Sequence, residues 1–122
     1  MDRLVEEISF LGQPSIRASN GELAFVVVPR WGSNLVSLVH EPTGTELLRK
    51  PESASAFWSS PVLYGVPVLF PPNRIAGGRF RYRGREYCFD INEPARDNHI
   101  HGLVYTRPWQ VMRAGVDEAT LK

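Results

Sequence analysis

One cysteine, Cys88, stands in a chain of 122 residues. An internal disulfide is therefore excluded, and this usage fits a reducing, cytoplasmic setting. An excess of either charge is also missing. Fourteen Lys and Arg face thirteen Asp and Glu, for a net charge of +1, which gives no global attraction for nucleic acid or for an acidic membrane. No apolar run approaches membrane-spanning length. Residues 1–7 lack the apolar stretch of a signal peptide, so no leader is expected. Repeats and low-complexity tracts are absent, and helical periodicity is scarce.

What is present reads as a soluble globular domain. Hydrophobic residues make up 43% and charged residues 22%, and the length allows one domain, taken as residues 1–122. Ten Gly and ten Pro punctuate the chain often, which favours short strands and turns over long helices. Residues 15–19, the Asn20-Gly21 turn signal and the Phe/Val-rich residues 23–28 predict a hairpin. Residues 34–40, a turn at 41–44 and residues 46–48 predict a second, with Val36, Leu38 and His40 in step. Residues 78–82 and 86–91 around Arg83-Gly84 predict a third. Residues 50–60 read as a loop with room for one helical turn, pinned by Phe57 and Trp58. Residues 62–70 are apolar but broken by Gly65 and Pro67, as in an irregular or edge segment. Residues 94–98 read as polar loop, residues 109–113 as a strand, and residues 119–122 as the opening of another. The expected class is all-β, an antiparallel sandwich or part of one.

Two residues stand out for chemistry. His101 precedes Gly102, and an imidazole exchanges protons near neutral pH without a large pKa shift. Arg74 follows Phe70-Pro71-Pro72-Asn73, where two prolines restrict the backbone and would hold a fork of donors in place. Asn73 either assists Arg74 or orients the loop. The bland alternatives are a structural histidine and a surface arginine paired with a carboxylate.

Other patterns carry less. His99 and His101 share the i, i+2 spacing of a cupin-type metal pair, but further ligands are missing downstream, so no metal is expected. Arg79, Arg81, Arg83 and Arg85 alternate with Phe80 and Tyr82. A strand with the aromatics inward and the arginines solvated accounts for this better than nucleic-acid binding does. Trp31, Trp58 and Trp109 read as core anchors, Cys88 as a packed thiol, and Ala76-Gly77-Gly78 as a turn.

The segment Asn73-Arg74-Ile75, Gly78-Arg79-Phe80 and His101-Gly102 resembles the aldose 1-epimerases, or galactose mutarotases. Gly44-Thr45-Glu46-Leu47-Leu48 is similar to a further element of that family, and residues 92–98 resemble a bacterial subgroup. The resemblance implies the N-terminal half of a galactose mutarotase-like supersandwich. It implies Arg74, Asn73 and His101 as substrate-binding residues and His101 as a catalytic residue near the ring oxygen. It also implies a hexose as partner, no cofactor, no nucleic acid and no membrane.

The family chemistry so implied interconverts α and β anomers: a carboxylate base acts on the anomeric hydroxyl, a histidine acid on the ring oxygen. Those two groups lie in the family's second half. No histidine follows His101 here, so the chain alone is expected to be inactive and to be part of a longer protein. Pairing with its missing half or with a second copy is expected. The alternative is a non-catalytic carbohydrate-binding or regulatory β-domain.

Overall fold

The computed structural model describes residues 3–115 and 119–121. They form eleven short strands, one α-helix and three 3-10 turns, in two compact units: Met1–Val68 with Tyr105–Lys122, and Leu69–Val104.

The first unit is built on one antiparallel sheet. Strands β1 (Leu4–Phe10), β2 (Gln13–Ser19), β3 (Leu23–Val28), β4 (Asn34–His40) and β5 (Thr45–Glu46) lie in chain order. The predicted β2–β3 hairpin is present, although Gly21 (φ 85°) and Glu22 form the central pair of its turn, with Asn20 N–H bonded to the Leu23 carbonyl. Asn20 instead accepts, through its side-chain oxygen, the amides of Glu22 and Leu23. Strand β1 was not expected from the sequence. Its carboxylates at Glu6 and Glu7 interrupt any regular alternation, and it owes its place to pairing with β2 along its full length.

Ala24, Val26 and Val28 alternate into the core on β3. The expected parity of β4 fails for a physical reason. A bulge there sets Ser37 opposite Val26 and Leu35 opposite Val27, so Val36 is an extra residue. Val36 and Ser37 are consequently both buried, while Leu38 and His40 stay half-exposed. Beyond β4 the sheet is finished by side-chain and single-residue contacts. Glu46 accepts the Leu38 and Leu48 amides and the Ser37 hydroxyl, and Leu35 exchanges backbone bonds with Val66.

The helical turn expected in residues 50–60 is helix α1 (Ala54–Ser59), whose N-cap Ser53 accepts the Ala56 amide at 3.0 Å. It delivers Phe57, fully buried, onto Trp31 with ring centroids 4.4 Å apart. Val26, Val28, Val36, Trp31 and Phe57 form the core, with Ile8, Phe10, Ala54 and Tyr64 around it. Trp58 is more exposed than a core anchor would be, at 42%. The chain returns to this unit through Tyr105, whose carbonyl lies 2.0 Å from where a Cβ on Gly32 would be. Strands β10 (Val111–Ala114) and β11 (Ala119–Leu121) pair with each other. No helix among the described residues is long and apolar enough to cross a membrane.

The second unit holds two small antiparallel sheets. β6 (Arg74–Ala76) pairs with β9 (Asn98–Ile100), and β7 (Arg79–Tyr82) pairs with β8 (Arg85–Cys88) around Arg83-Gly84, both with positive φ as a type I′ turn requires. The hairpin is as predicted, but its two faces are not divided into inside and outside. Phe80 and Tyr82 are 43% and 57% exposed. Phe80 stacks instead on its cross-strand neighbour Tyr87, centroids 5.0 Å apart. Cys88 is exposed, contrary to its reading as a packed thiol. β9 begins at the last residue of the stretch that reads as polar loop, 94–98, and its three residues carry no periodic signal of their own.

Candidate functional site

The two sequence-predicted segments meet in the second unit, and the backbone does the joining. β6 and β9 run antiparallel with Arg74 opposite Ile100 and Ile75 opposite His99. One step further, the His101 amide donates to the Asn73 carbonyl at 2.9 Å, and the Leu103 amide donates to the Phe70 carbonyl at 3.1 Å. Asn73 (φ 59°), His101 (φ 68°) and Gly102 (φ 79°) are all left-handed. That conformation is open to Gly and tolerated by Asn and His far better than by branched residues. Gly102 has a second reason to be glycine: a Cβ there would lie 2.1 Å from the Phe70 carbonyl oxygen. The residues that turn the chain are thus the residues of the sequence motif.

Arg74 is exposed and its guanidinium is committed on one side. Nε donates to Glu93 Oε1 at 2.8 Å and Nη2 to Glu93 Oε2 at 3.1 Å, a bidentate pair. Glu93 also accepts from Asn98 Nδ2 at 2.9 Å. The Arg74 hydrogen bonds, joined by that from Asn98, hold the Glu93 carboxyl down at about 2. The same pairing raises the Arg74 pKa. The carboxylate is itself anchored, because Glu93 and Asn98 exchange backbone bonds at 3.0 and 3.2 Å. Asn92 completes the edge of β9: its amide nitrogen donates to the Ile100 carbonyl and its oxygen accepts the Ile100 amide. Asn92, Glu93 and Asn98 are the residues that reading the sequence did not single out for the site. Their signal was the dense polar run at 92–98, whose side chains replace a strand.

His99 is placed quite differently from His101. It is 1% exposed, with its ring 5.0 Å from that of Phe89. Nδ1 donates to the Asp90 carbonyl at 2.8 Å, and Nε2 is buried without a hydrogen-bond partner among the described residues. His99 is therefore a core residue of this unit. Among the described residues no group of three or more His, Cys, Asp or Glu side chains is placed to hold a metal. The first unit carries a groove of about 520 Å³ beside Ile8, Ile16, Arg30 and Trp109; Asn73, Arg74 and His101 do not line it.

The described strands pair antiparallel, and the Asn-Arg strand start is clasped to the His-Gly turn with a parallel bridge between Phe70 and Gly102. The family model described as aldose 1-epimerase matches residues 14–122, and the chain belongs to that family. It is 36% identical over 91 residues to the uncharacterised protein YihR of Escherichia coli (strain K12), an alignment covering 74% of this chain and 28% of YihR. A solved galactose mutarotase-like protein from Clostridium acetobutylicum superposes with a TM-score of 0.86 at 34% identity, over 97% of this chain and 37% of that one. Galactose 1-epimerase from Lactobacillus acidophilus NCFM superposes at 0.70 with 16% identity, over 98% and 37%, a likeness of fold alone. The chain thus spans about a third of the length of these relatives, and its fold is part of a galactose mutarotase-like β-fold.

Proposed function

We propose that this chain supplies the hydroxyl-recognition part of an aldose site in an aldose 1-epimerase-like protein. The observation that carries the reading is the clasp between residues 70–73 and 101–103, which ties the carriers of Asn73, Arg74 and His101 together by backbone bonds. The galactose mutarotase-like relative from Clostridium acetobutylicum, 34% identical, supports the substrate class, a hexose.

In this reading Arg74 donates to sugar hydroxyls, with Asn73 beside it. His101 sits at the ring oxygen, where an imidazole can donate or accept a proton. A base carboxylate would take the anomeric proton while an acid histidine protonates the ring oxygen. The C1–O5 bond then breaks, the aldehyde end rotates and the ring closes on its other face. Those two groups come from chain outside these 122 residues, which pair with the remainder of such a domain or with a second copy. A second reading, binding without catalysis, is favoured by the histidines themselves. His99 is buried and His40 bonds Thr43 in the other unit, so His101 is the one imidazole at the candidate site.

The test is a ¹H–¹⁵N NMR titration of the chain with galactose and glucose. Saturable shifts centred on Asn73, Arg74 and His101, abolished by Arg74→Ala and by His101→Ala, are expected. Shifts elsewhere, or none at all, would refute the proposal.

A further inference from the structure

We propose that Glu93 is a positioning residue for sugar recognition, holding Arg74 in a single orientation and thereby selecting which of its donors meet the ligand. The inference rests on the aldose-binding reading above and adds to it a role for the loop at 92–98.

A guanidinium has five N–H groups. Glu93 takes two of them, one from Nε and one from Nη2. Both donors of Nη1 and the second donor of Nη2 engage no described residue. These three share the plane fixed by the carboxylate and point away from it. The rigid partner is the carboxylate: the Glu93 side chain is 21% exposed against 43% for Arg74. It is braced by the Asn98 amide and by the backbone pair between residues 93 and 98. An arginine left alone on a short strand would sample many rotamers, and a ligand would have to order it. With Glu93 in place that ordering is complete before the sugar arrives. The remaining edge is a planar row of donors, suited to the oxygens of two adjacent hydroxyls and unsuited to a ligand without a vicinal pair.

The opposite arrangement is also definite chemistry: Glu93 could plug Arg74, so that a sugar must displace it. The two predict effects of opposite sign. In the NMR titration with galactose, Glu93→Gln is expected to weaken binding about two- to tenfold, the range for ordering one rotamer-rich side chain. This variant keeps an acceptor for Asn98 and so leaves the loop closed. In a chain already carrying Arg74→Lys, which lacks the fork, the same substitution is expected to cost little, because Glu93 acts through the guanidinium. The sugar-free protein gives an independent readout: a slowly exchanging Arg74 Nε–H signal in the wild type, lost in Glu93→Ala, which removes the Oε1 acceptor shared with Asn98.

Unchanged or tighter binding in Glu93→Gln would overturn the proposal. So would an equal loss in the Arg74→Lys background, which would make Glu93 a direct ligand contact or a purely structural residue. A wild-type chain that shows the Nε–H signal but no response to galactose would bring down the aldose-binding reading itself, and the role of Glu93 with it.

Discussion

Replacing Gly102 with alanine separates two costs that are usually confounded, because the same unit contains its control. Gly102 and Gly84 have almost the same φ, 79° and 74°. A left-handed alanine costs roughly 1–2 kcal/mol at either place. At Gly84 the new methyl meets nothing within 4 Å, whereas at Gly102 it meets the Phe70 carbonyl at 2.1 Å. An ordinary carbon–oxygen contact begins near about 3.3 Å, so the two segments must part by roughly 1 Å. That separation breaks the Leu103 to Phe70 bond and loosens the His101 to Asn73 bond. At about 1 kcal/mol each, the extra cost of Gly102→Ala over Gly84→Ala is about 2 kcal/mol. This corresponds to about thirtyfold in the local opening equilibrium. Amide hydrogen exchange at His101 and Leu103 reads it directly. Gly102→Ala should speed exchange at both amides by about that factor beyond Gly84→Ala, and should also abolish the galactose response. Equal acceleration in the two variants would show that the clasp is not a tight contact.

Three further outcomes are expected. Phe57→Ala removes a fully buried ring stacked on Trp31 and should cost about 3–5 kcal/mol in urea unfolding followed by tryptophan fluorescence; less than about 1 kcal/mol would place the core elsewhere. The Glu93 carboxyl is lowered from its ordinary 4.5 to about 2, so its contribution to stability is complete above 4.5 and is lost as pH falls through about 2; the Arg74 Nε–H signal should persist at pH 3.5, and its disappearance there would contradict the ion pair. Polarimetry with galactose should show no appreciable acceleration of mutarotation by the 122-residue chain; a rate close to that of a complete family enzyme would mean that these residues contain their own acid and base.

The parts legible in the sequence are those with local causes. The β2–β3 and β7–β8 hairpins follow from turn residues and β-formers, and α1 falls in the loop stretch that has room for one helical turn. Arg74, Asn73 and His101 stood out through the family motif around them. The rest was set by partners distant in the chain. β6 and β9 are three residues each and exist through one another and through the Asn92 side chain, which no periodicity reports. The Val36 bulge shifts a parity that the sequence alone would continue unbroken. Phe80 and Tyr82 look inward by alternation, yet lie exposed on a ribbon whose aromatic contacts run across its own strands. Glu93 was invisible for a similar reason: nineteen residues separate it from Arg74, and a polar loop gives no hint of which carboxylate will turn inward.

The clasp between residues 70–73 and 101–103 also bears on how such a site can change over generations. It is made of carbonyls and amides, which are the same for every amino acid, so the frame survives when side chains are exchanged. The vocabulary open to each position is nevertheless unequal. Positions 73 and 101 have left-handed backbones, which favours Asn, Asp, His and Gly there and disfavours branched residues. Position 74 lies on a regular strand and is sterically open to almost any residue. A lineage drifting toward a new sugar would therefore find its freedom at 74 and at the loop facing it, while 73 and 101 moved within a narrower set and 102 stayed glycine.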